Sequence, residues 1–232
     1  MENNFGYIND NLRVIRENIG EACDKYRSGD VPPRIMAVTK TVAPEAVNYA
    51  VSLGIDLLGE NRVQEYQSKA DLYDKSAEVQ FIGHLQTNKV KYIINSVSMI
   101  QSVDSIRLAS EINRLAAANG RCTDILCEVN IGGEESKSGV KPDEIIPLLE
   151  QLAEMKNIRV KGLMTIPPPS GSDIFLAKMQ ELFLTVKQRS MDGICMDVLS
   201  MGMTNDYAEA VKYGSTLVRI GTGLFGARNY NI

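Results

Sequence analysis

The sequence has no tryptophan, one histidine and four cysteines, and it contains no long apolar run. No stretch approaches the roughly 18 apolar residues of a membrane span, and the first residues are polar where a secretory signal would have a basic start and an apolar run. The cysteines Cys23, Cys122, Cys127 and Cys195 form no CxxC pair, and His84 completes no familiar zinc spacing with them. We therefore expect a cytoplasmic protein with reduced cysteines, no membrane anchor and no metal site.

Positive charge and imidazole bases are also scarce. The 25 lysines and arginines against 29 aspartates and glutamates leave a net charge of −4. With no bulk positive field we do not expect nucleic-acid binding, although a local site could still take a small anion. Catalysis by a Ser-His-Asp or Cys-His arrangement is disfavoured as well, because His84 would have to be the only imidazole base.

The sequence does contain a regular alternation of short apolar runs with longer segments of helical period. The first unit is a strand over 34–39, followed by an amphipathic helix over 44–53 that begins at a proline and ends before Gly54. The pattern predicts seven further strands, over 56–59, 79–83, 98–103, 124–130, 159–165, 197–201 and 217–220. It also predicts helices between them, ending at 73 and then over 88–96, 104–119 with Asp104 as N-cap, 142–155, 173–189 and 204–213.

Strictly alternating strands and helices predict a parallel sheet, and eight units in 232 residues fit an α/β fold of the (β/α)8 TIM-barrel type. An open doubly wound sheet is the competing architecture. The chain shows no linker or change in composition, so we expect a single domain over 1–232. An extra amphipathic helix over 11–26 precedes the first strand and could cover the bottom of a closed barrel.

Lys40 directly follows the first predicted strand, at the rim where barrel active sites lie. Its neighbours in sequence are small or apolar. A lysine that loses solvation at such a rim can become a nucleophilic amine and form an imine with a carbonyl compound. The alternative interpretation is an exposed lysine that merely ends a strand, because long cationic side chains favour water.

Two segments rich in glycine and hydroxyl groups follow the seventh and eighth strands, over 199–206 and 219–226. Gly202 permits close backbone approach, and Thr204 is suited to cap the next helix. Loops seven and eight of a barrel commonly bind phosphate, so the segments predict an anion site unless they are only tight turns. Residues 221–226 also fit GxGxxG, but we expect no dinucleotide fold, because the required helix and strand do not follow before Ile232.

Other polar groups follow the remaining strands at the same rim, namely Glu60, Asn61, Arg62, His84, Gln86, Asn88, Lys137, Ser138 and Gly139. His84 could equally be a hydrogen-bonded structural histidine, and Glu60 with Arg62 could be a local salt bridge. Four methionines are expected to form barrel core and pocket lining, namely Met36, Met164, Met201 and Met203.

Several of these motifs occur together and in order, and their combination is more specific than any one of them. They are Lys40, Gly59-Glu60-Asn61-Arg62, Gly83-His84-Leu85-Gln86-x-Asn88-Lys89, Ser200-Met201-Gly202-Met203-Thr204 and Arg219-Ile220-Gly221-Thr222. On these motifs the chain closely resembles, over essentially its whole length, the YggS family of pyridoxal 5′-phosphate (PLP) homeostasis proteins. The resemblance implies one barrel like the N-terminal domain of alanine racemase, with PLP bound as a Schiff base.

The resemblance also assigns roles to individual residues. Lys40 matches the lysine of the Schiff base, and Arg219 matches the residue that faces the pyridine nitrogen. Asn61 and His84 match segments that line the cofactor pocket. The phosphate-binding motifs contribute Ser200, Met201, Gly202, Thr204, Gly221 and Thr222. Family members often have serine in place of Thr204, which keeps the hydroxyl, and a small or acidic residue in place of Leu224.

These assignments imply a PLP carrier rather than an enzyme. An arginine at the pyridine nitrogen stays protonated and weakens the ring as an electron sink. Racemisation would also need a second acid/base from an additional domain, for which we expect no room after Gly226. We therefore expect PLP homeostasis through Lys40, a monomer, and PLP-dependent apo-enzymes as candidate partners. A PLP-dependent racemase or lyase with weak activity, a Schiff-base aldolase for sugar phosphates and a scaffold that passes PLP onward stay open as alternatives.

Overall fold

In the computed structural model, which describes residues 5–227, eight parallel strands close into a barrel in chain order. The strands are β1 (Arg34–Val38), β2 (Leu57–Glu60), β3 (Glu78–Phe81), β4 (Met99–Val103), β5 (Thr123–Val129), β6 (Ile158–Thr165), β7 (Ile194–Ser200) and β8 (Leu217–Ile220). Strand β8 pairs with β1 and places Met36 beside Arg219. The predicted (β/α)8 barrel is confirmed, and the open sheet is wrong. Residues 1–4 and 228–232, which the single-domain prediction also includes, lie outside the described residues.

Helices surround the barrel and bury their apolar faces against it. They are α1 (Gly6–Tyr26), α2 (Pro44–Ser52), α3 (Val63–Lys69), α4 (Ile106–Ala118), α5 (Ile145–Ala153), α6 (Ser172–Arg189), α7 (Tyr207–Lys212) and α8 (Thr222–Phe225). Within residues 5–227, none of the helices has the length and apolar character to cross a bilayer.

Helix α1 lies elsewhere than the sequence suggests. It packs mainly against α7 and α8, on the outer side of the barrel rather than across its bottom. Its apolar stripe, which includes Ile8 and Leu12, is buried there. Two side-chain hydrogen bonds hold the same face: Asn11 Nδ2 donates to the carbonyl of Leu224, and Asn18 Nδ2 donates to the hydroxyl of Tyr207. The periodicity predicted the helix and its buried face but could not specify which surface receives that face.

Two further local predictions are wrong for short-range reasons. The segment predicted as a helix over 88–96 is a 3-10 helix over Thr87–Tyr92, although Val90, Ile93 and Ile94 are buried as the helical period requires. Short 3-10 segments of this kind are frequent in the connections between other elements. Helix α4 is capped by Ser105, whose hydroxyl accepts a hydrogen bond from the Leu108 amide at 3.4 Å, and not by Asp104.

The barrel interior is apolar toward the start of the strands and polar toward their carboxyl ends. Two interior clusters, which meet at Val198, form the apolar part: Met36, Val38, Leu57, Ile82 and Leu217, and Met99, Leu126 and Met164. Two positions further along four of the strands are buried polar residues, namely Gln101, Glu128, Ser200 and Arg219. Because the side-chain period of a strand is two, these residues face the same interior. The polar layer therefore lies directly beneath the C-terminal rim.

Candidate functional site

A cavity of about 420 Å³ opens at the C-terminal rim, among the residues that follow β1, β2, β6, β7 and β8. This first cavity brings together six of the ten residues predicted to bind the cofactor, namely Lys40, Asn61, Thr204, Arg219, Gly221 and Thr222. Val38, Ile82 and Ile166 add an apolar wall. A concave, partly apolar site with a few convergent polar groups is the usual form of a small-molecule site.

Lys40 lies in this cavity because it continues the alternation of β1, in which Met36 and Val38 face the interior. The residue before it is firmly held. Thr39 is fully buried, its amide donates to the carbonyl of Gly59, and its hydroxyl donates to Glu60 Oε1 at 2.7 Å. The backbone at Lys40 therefore starts from a fixed position at the end of the strand.

The Glu60 carboxylate that receives Thr39 is itself buried beneath the outer helices. Its Oε1 also accepts a hydrogen bond from the Tyr73 hydroxyl at 2.5 Å. Burial raises the pKa of Glu60, although these two hydrogen bonds oppose that shift. Glu60 makes no ion pair with Arg62 among the described residues, so the alternative interpretation of these two residues as a local salt bridge is wrong. No pattern in the sequence indicates that Glu60 points away from the barrel interior.

The residue after Lys40 adopts a left-handed backbone conformation that is rare for threonine. Thr41 has φ +60°, and its amide donates to Glu65 Oε1 at 2.5 Å. Lys69 forms an ion pair with the same oxygen and also donates to the carbonyl of Thr39 at 3.4 Å. Glu65 and Lys69 thus stabilise a tight turn around Lys40. The hydrogen bonds and Lys69 lower the pKa of Glu65 despite its burial, so the carboxylate stays ionised.

Arg219 is the buried cation of the first cavity. Its side chain comes from β8, and the residue is only 3% exposed. Nη1 donates to the Ser200 hydroxyl at 2.7 Å, and Nη2 donates to the carbonyl of Thr165 at 2.7 Å. Burial lowers the pKa of Arg219 to about 10, which Glu128 and Asp206 partly oppose, so the guanidinium stays charged at neutral pH.

A hydrogen-bonded chain runs from Arg219 across the barrel and holds its guanidinium in place. The Ser200 hydroxyl donates to Gln101 Oε1 at 2.7 Å, and Gln101 Nε2 donates to Gln80 Oε1 at 2.6 Å. Sequence reasoning missed Gln80 and Gln101. The available signal was their polarity at inward positions of otherwise apolar strands, since a buried amide needs a partner.

The loops after β7 and β8 are joined by Thr204. Its hydroxyl accepts a hydrogen bond from the Gly223 amide at 3.0 Å and lies 3.4 Å from the Thr222 hydroxyl. The predicted role of Thr204 as a helix cap is wrong, because α7 begins later, with Asp206 at its N-cap. The close approach of the two loops requires glycine at position 223, because a Cβ atom at Gly223 would lie 2.9 Å from Thr204 Cγ2. Two hydroxyl groups are thereby presented together at the mouth of the cavity.

Four predicted residues do not line the first cavity. Ser200 and Met201 are fully buried, Ser200 in the polar chain and Met201 in the core between strands and helices. Gly202 has φ +94°, and its carbonyl accepts a hydrogen bond from the Arg219 amide. His84 lies at the rim with 61% of its side chain exposed, and its Nδ1 is 3.3 Å from the Ser138 hydroxyl. Their assignment to cofactor binding stays a prediction.

A second cavity, of about 300 Å³, adjoins the first at the same rim. The two cavities share Asn61, Ile82, Lys137 and Ile166. The second cavity is also bordered by His84, Ser138 and the buried Glu128 of β5. Burial raises the pKa of Glu128 to about 7, and Asp104 raises it further while Arg219 opposes the shift. Glu128 was not among the predicted site residues.

A closed parallel barrel with a lysine after β1 and paired hydroxyl groups after β7 and β8 defines a class of protein, the N-terminal barrel of the alanine racemases. Consistent with that class, the family model described as alanine racemase, N-terminal domain, matches residues 11–229. The chain is also 41% identical over 224 residues to the pyridoxal phosphate homeostasis protein of Aquifex aeolicus, covering 94% of this chain and 97% of the relative. The homeostasis protein of Haemophilus influenzae is 36% identical and covers 97% of both chains.

The chain therefore belongs to the family of pyridoxal phosphate homeostasis proteins, which confirms the family inferred from its motifs. Solved structures agree. PipY of Synechococcus elongatus PCC7942, determined with PLP bound, superimposes with a TM-score of 0.77 at 30% identity, covering 90% of this chain and all of PipY. Alanine racemase of Corynebacterium glutamicum shares the fold, with a TM-score of 0.75 at 16% identity, and the match covers 98% of this chain and 63% of the racemase.

Proposed function

We propose that the protein binds PLP in the first cavity, holds it covalently on Lys40 and thereby takes part in PLP and vitamin B6 homeostasis. The observation that carries the proposal is the convergence of one lysine, one buried arginine and two loop hydroxyl groups in a single cavity. Homologues over nearly the full length are named for PLP homeostasis, and PipY was determined with PLP bound. We propose further that residues 1–232 act as one PLP-binding domain in the cytoplasm.

The donors of the first cavity fit the functional groups of PLP. A phosphate monoester needs hydrogen-bond donors, which the Thr204 and Thr222 hydroxyl groups can provide beside the start of α8. A pyridine nitrogen needs a donor, which Arg219 can provide while its other contacts fix the guanidinium. The cavity volume of about 420 Å³ is within the range of small-molecule sites. When bound, PLP supplies an aldehyde that condenses reversibly with a primary amine, and Lys40 provides that amine.

The residues of this chain then have distinct tasks. Thr39, Glu65 and Lys69 orient the backbone that carries Lys40. Ser200, Met201 and Gly202 support β8 and Arg219 from behind the cavity rather than facing the ligand. Arg219 remains protonated, so it donates to a ring nitrogen without transferring a proton to it. A ring kept in that form is a weaker electron sink, which favours retention of PLP over chemistry on amino acids.

We propose that retention and release of PLP, rather than catalysis, is the activity of the protein. Racemisation needs a second acid/base opposite the lysine. Besides Lys40 and Arg219, the titratable residues that line the first cavity in the described part of the chain are Lys137, which pairs with Glu134, and Asp206, which accepts a hydrogen bond from the Met203 amide. A PLP-dependent racemase or lyase is the second candidate, and exchange of the α-proton of amino acids in deuterated water tests it. Exchange faster than that with free PLP would favour the enzyme.

Apo-enzymes that use PLP are the proposed recipients of the bound PLP, and we propose that the protein is a monomer.

Absorbance spectroscopy tests the proposed function directly. The purified chain mixed with PLP should show a visible band distinct from that of free PLP, and Lys40→Ala should lose it. Lys89→Ala is a matched control at the same rim, because Lys89 Nζ donates to Gln64 Oε1 at 3.4 Å and Lys89 lies outside the first cavity. A Lys40→Ala variant that keeps the band of the parent would contradict the assignment of Lys40 as the residue that holds PLP. A chain that stays colourless with PLP but condenses with a sugar phosphate would favour the aldolase alternative.

A further inference from the structure

The second cavity contains a buried carboxylate that Arg219 influences electrostatically but that no side chain of the described residues pairs with. Glu128 is only 7% exposed, and it lines the cavity. Within residues 5–227 its side chain makes no hydrogen bond and no ion pair, and the nearby Asp104 adds charge of the same sign. A buried carboxylate without partners is costly, so such a group is normally paired or serves a ligand.

The cations near Glu128 are committed elsewhere. The Arg219 guanidinium donates to Ser200 and to Thr165, on the interior side of the polar layer. Lys137 borders the cavity but forms its ion pair with Glu134. His84 is exposed, and its Nδ1 is near Ser138 and Asp104. None of these groups hydrogen-bonds to the Glu128 carboxylate.

A second acceptor without a partner belongs to another residue that lines the same cavity. Asn61 lines both cavities, and its Oδ1 is buried without a hydrogen-bond partner in the described structure. Glu128 comes from β5 and Asn61 follows β2, so two different strands bring these residues to the second cavity. A ligand that satisfies both must offer several donors and a positive charge in a small volume. A primary ammonium group has three N–H donors and one charge.

We propose that the second cavity is a binding site for the primary ammonium group of a small amine or amino acid, with Glu128 and Asn61 as the acceptors. The volume of about 300 Å³ admits such a molecule. This site adjoins the first cavity, and ammonium binding there does not depend on PLP. If the proposed function also holds, the amine lies beside the PLP bound in the first cavity, because the two cavities share Asn61, Ile82 and Ile166.

A nuclear magnetic resonance titration of the full-length chain, without added PLP, tests the site. Methylammonium chloride is the first probe and glycine the second, and the amides of Gly83 and Asn130 report on the cavity that they border. With two non-hydrogen atoms, methylammonium should saturate with a dissociation constant on the order of 10 mM. Binding of both probes supports an ammonium site for amines and amino acids, and binding of methylammonium alone supports a site for free amines.

Glu128→Gln should weaken the binding of methylammonium by roughly tenfold or more, because a charge-assisted hydrogen bond is lost. Asp124→Asn is the matched control: it removes a carboxylate from the opposite end of the same strand, where Asp124 pairs with Arg159, and should leave the binding unchanged. Equal binding by Glu128→Gln and the parent would overturn the proposal. So would identical shifts with potassium chloride at the same concentration, which would mark an unspecific cation effect. PLP binding on Lys40 with no response to either probe would overturn this inference alone.

Discussion

On four strands of the barrel, an inward apolar residue is followed two positions later by an inward polar one. Met99 precedes Gln101 on β4, and Leu126 precedes Glu128 on β5. The same step leads from Val198 to Ser200 on β7 and from Leu217 to Arg219 on β8. The lower layer excludes water and stabilises the barrel, whereas the upper layer places charge beneath the cavities at a cost in stability. The two layers, built on the same strands, therefore separate stability from function.

The largest effect is expected in the apolar layer. Leu126 is fully buried among Met99 and Met164, so Leu126→Ala leaves a cavity and should lower the free energy of unfolding by about 3 to 4 kcal/mol. Denaturant titration measures the loss. The variant should still take up PLP while it is folded, because Leu126 borders neither cavity. A loss below about 1 kcal/mol would show that this layer is loosely packed.

The next substitution is expected to raise the free energy of unfolding, and the size of this gain depends on pH. Burial raises the pKa of Glu128 from 4.5 to about 7, so the folded chain binds its proton more tightly than the unfolded chain does. The stabilising effect of protonated Glu128 is therefore complete below about pH 4.5 and is lost as the pH rises through about 7. Glu128→Gln should exceed the parent in stability by about 3 kcal/mol at about pH 8 and by little near pH 4.

Thermal or denaturant unfolding of both proteins across this pH range checks the prediction. A constant difference between Glu128→Gln and the parent at every pH would contradict the ionised, unpartnered state of Glu128. The buried charge of Glu128 would then not destabilise the fold, and the contrast between the apolar layer and the polar layer would not hold at this residue.

A smaller loss is expected from Ser200→Ala, which interrupts the polar layer. Arg219 Nη1 would lose its acceptor and Gln101 Oε1 its donor, and we expect a loss of about 1 to 2 kcal/mol in stability. Ser98→Ala, which removes an exposed hydroxyl whose two hydrogen bonds are both 3.3 Å long, should change stability by less than about 0.5 kcal/mol. Equal effects of the two substitutions in chemical denaturation would contradict the buried network.

The smallest stability effect is expected at the mouth of the first cavity. Thr204→Val keeps the shape but removes the acceptor of the Gly223 amide, so stability should fall by about 1 kcal/mol. The dissociation constant for PLP should rise roughly tenfold, as one hydrogen bond to a charged group is lost. Thr204→Ser keeps the hydroxyl and should bind PLP as the parent does. Fluorescence or absorbance titration with PLP distinguishes the two, and equal affinity of Thr204→Val and the parent would argue against a phosphate contact.

Alternation of apolar runs and helical segments was sufficient to predict all eight strands in order and the barrel itself. Local helix ends were less predictable, because caps depend on single hydrogen bonds: Asp104 and Asp206 both lie near a helix start, yet Ser105 caps one helix and Asp206 stands at the N-cap of the other. Position after β1 identified Lys40 as a rim residue. It could not reveal the left-handed Thr41 or its contact with Glu65, which is 24 residues further along the chain.

The polar layer was the main feature that the sequence did not reveal. Gln80 and Gln101 meet only because β3 and β4 are adjacent in a closed barrel, and Ser200 joins them from the far side. A motif-based assignment placed Ser200 at the phosphate, whereas its observed contacts are with Arg219 and Gln101. Motifs identify which residues belong to a site, but long-range contacts decide which of them line its cavity.

Borohydride reduction followed by peptide mass spectrometry tests the central claim most directly. The full-length chain is mixed with one equivalent of PLP, reduced, digested and mapped for the mass of the reduced PLP adduct. We predict that the adduct is concentrated on the peptide that contains Lys40. Added inorganic phosphate, which mimics the phosphate group of PLP, should not redirect the adduct to other lysines. An adduct spread evenly over exposed lysines, or concentrated on Lys69 or Lys137 instead, would contradict the account.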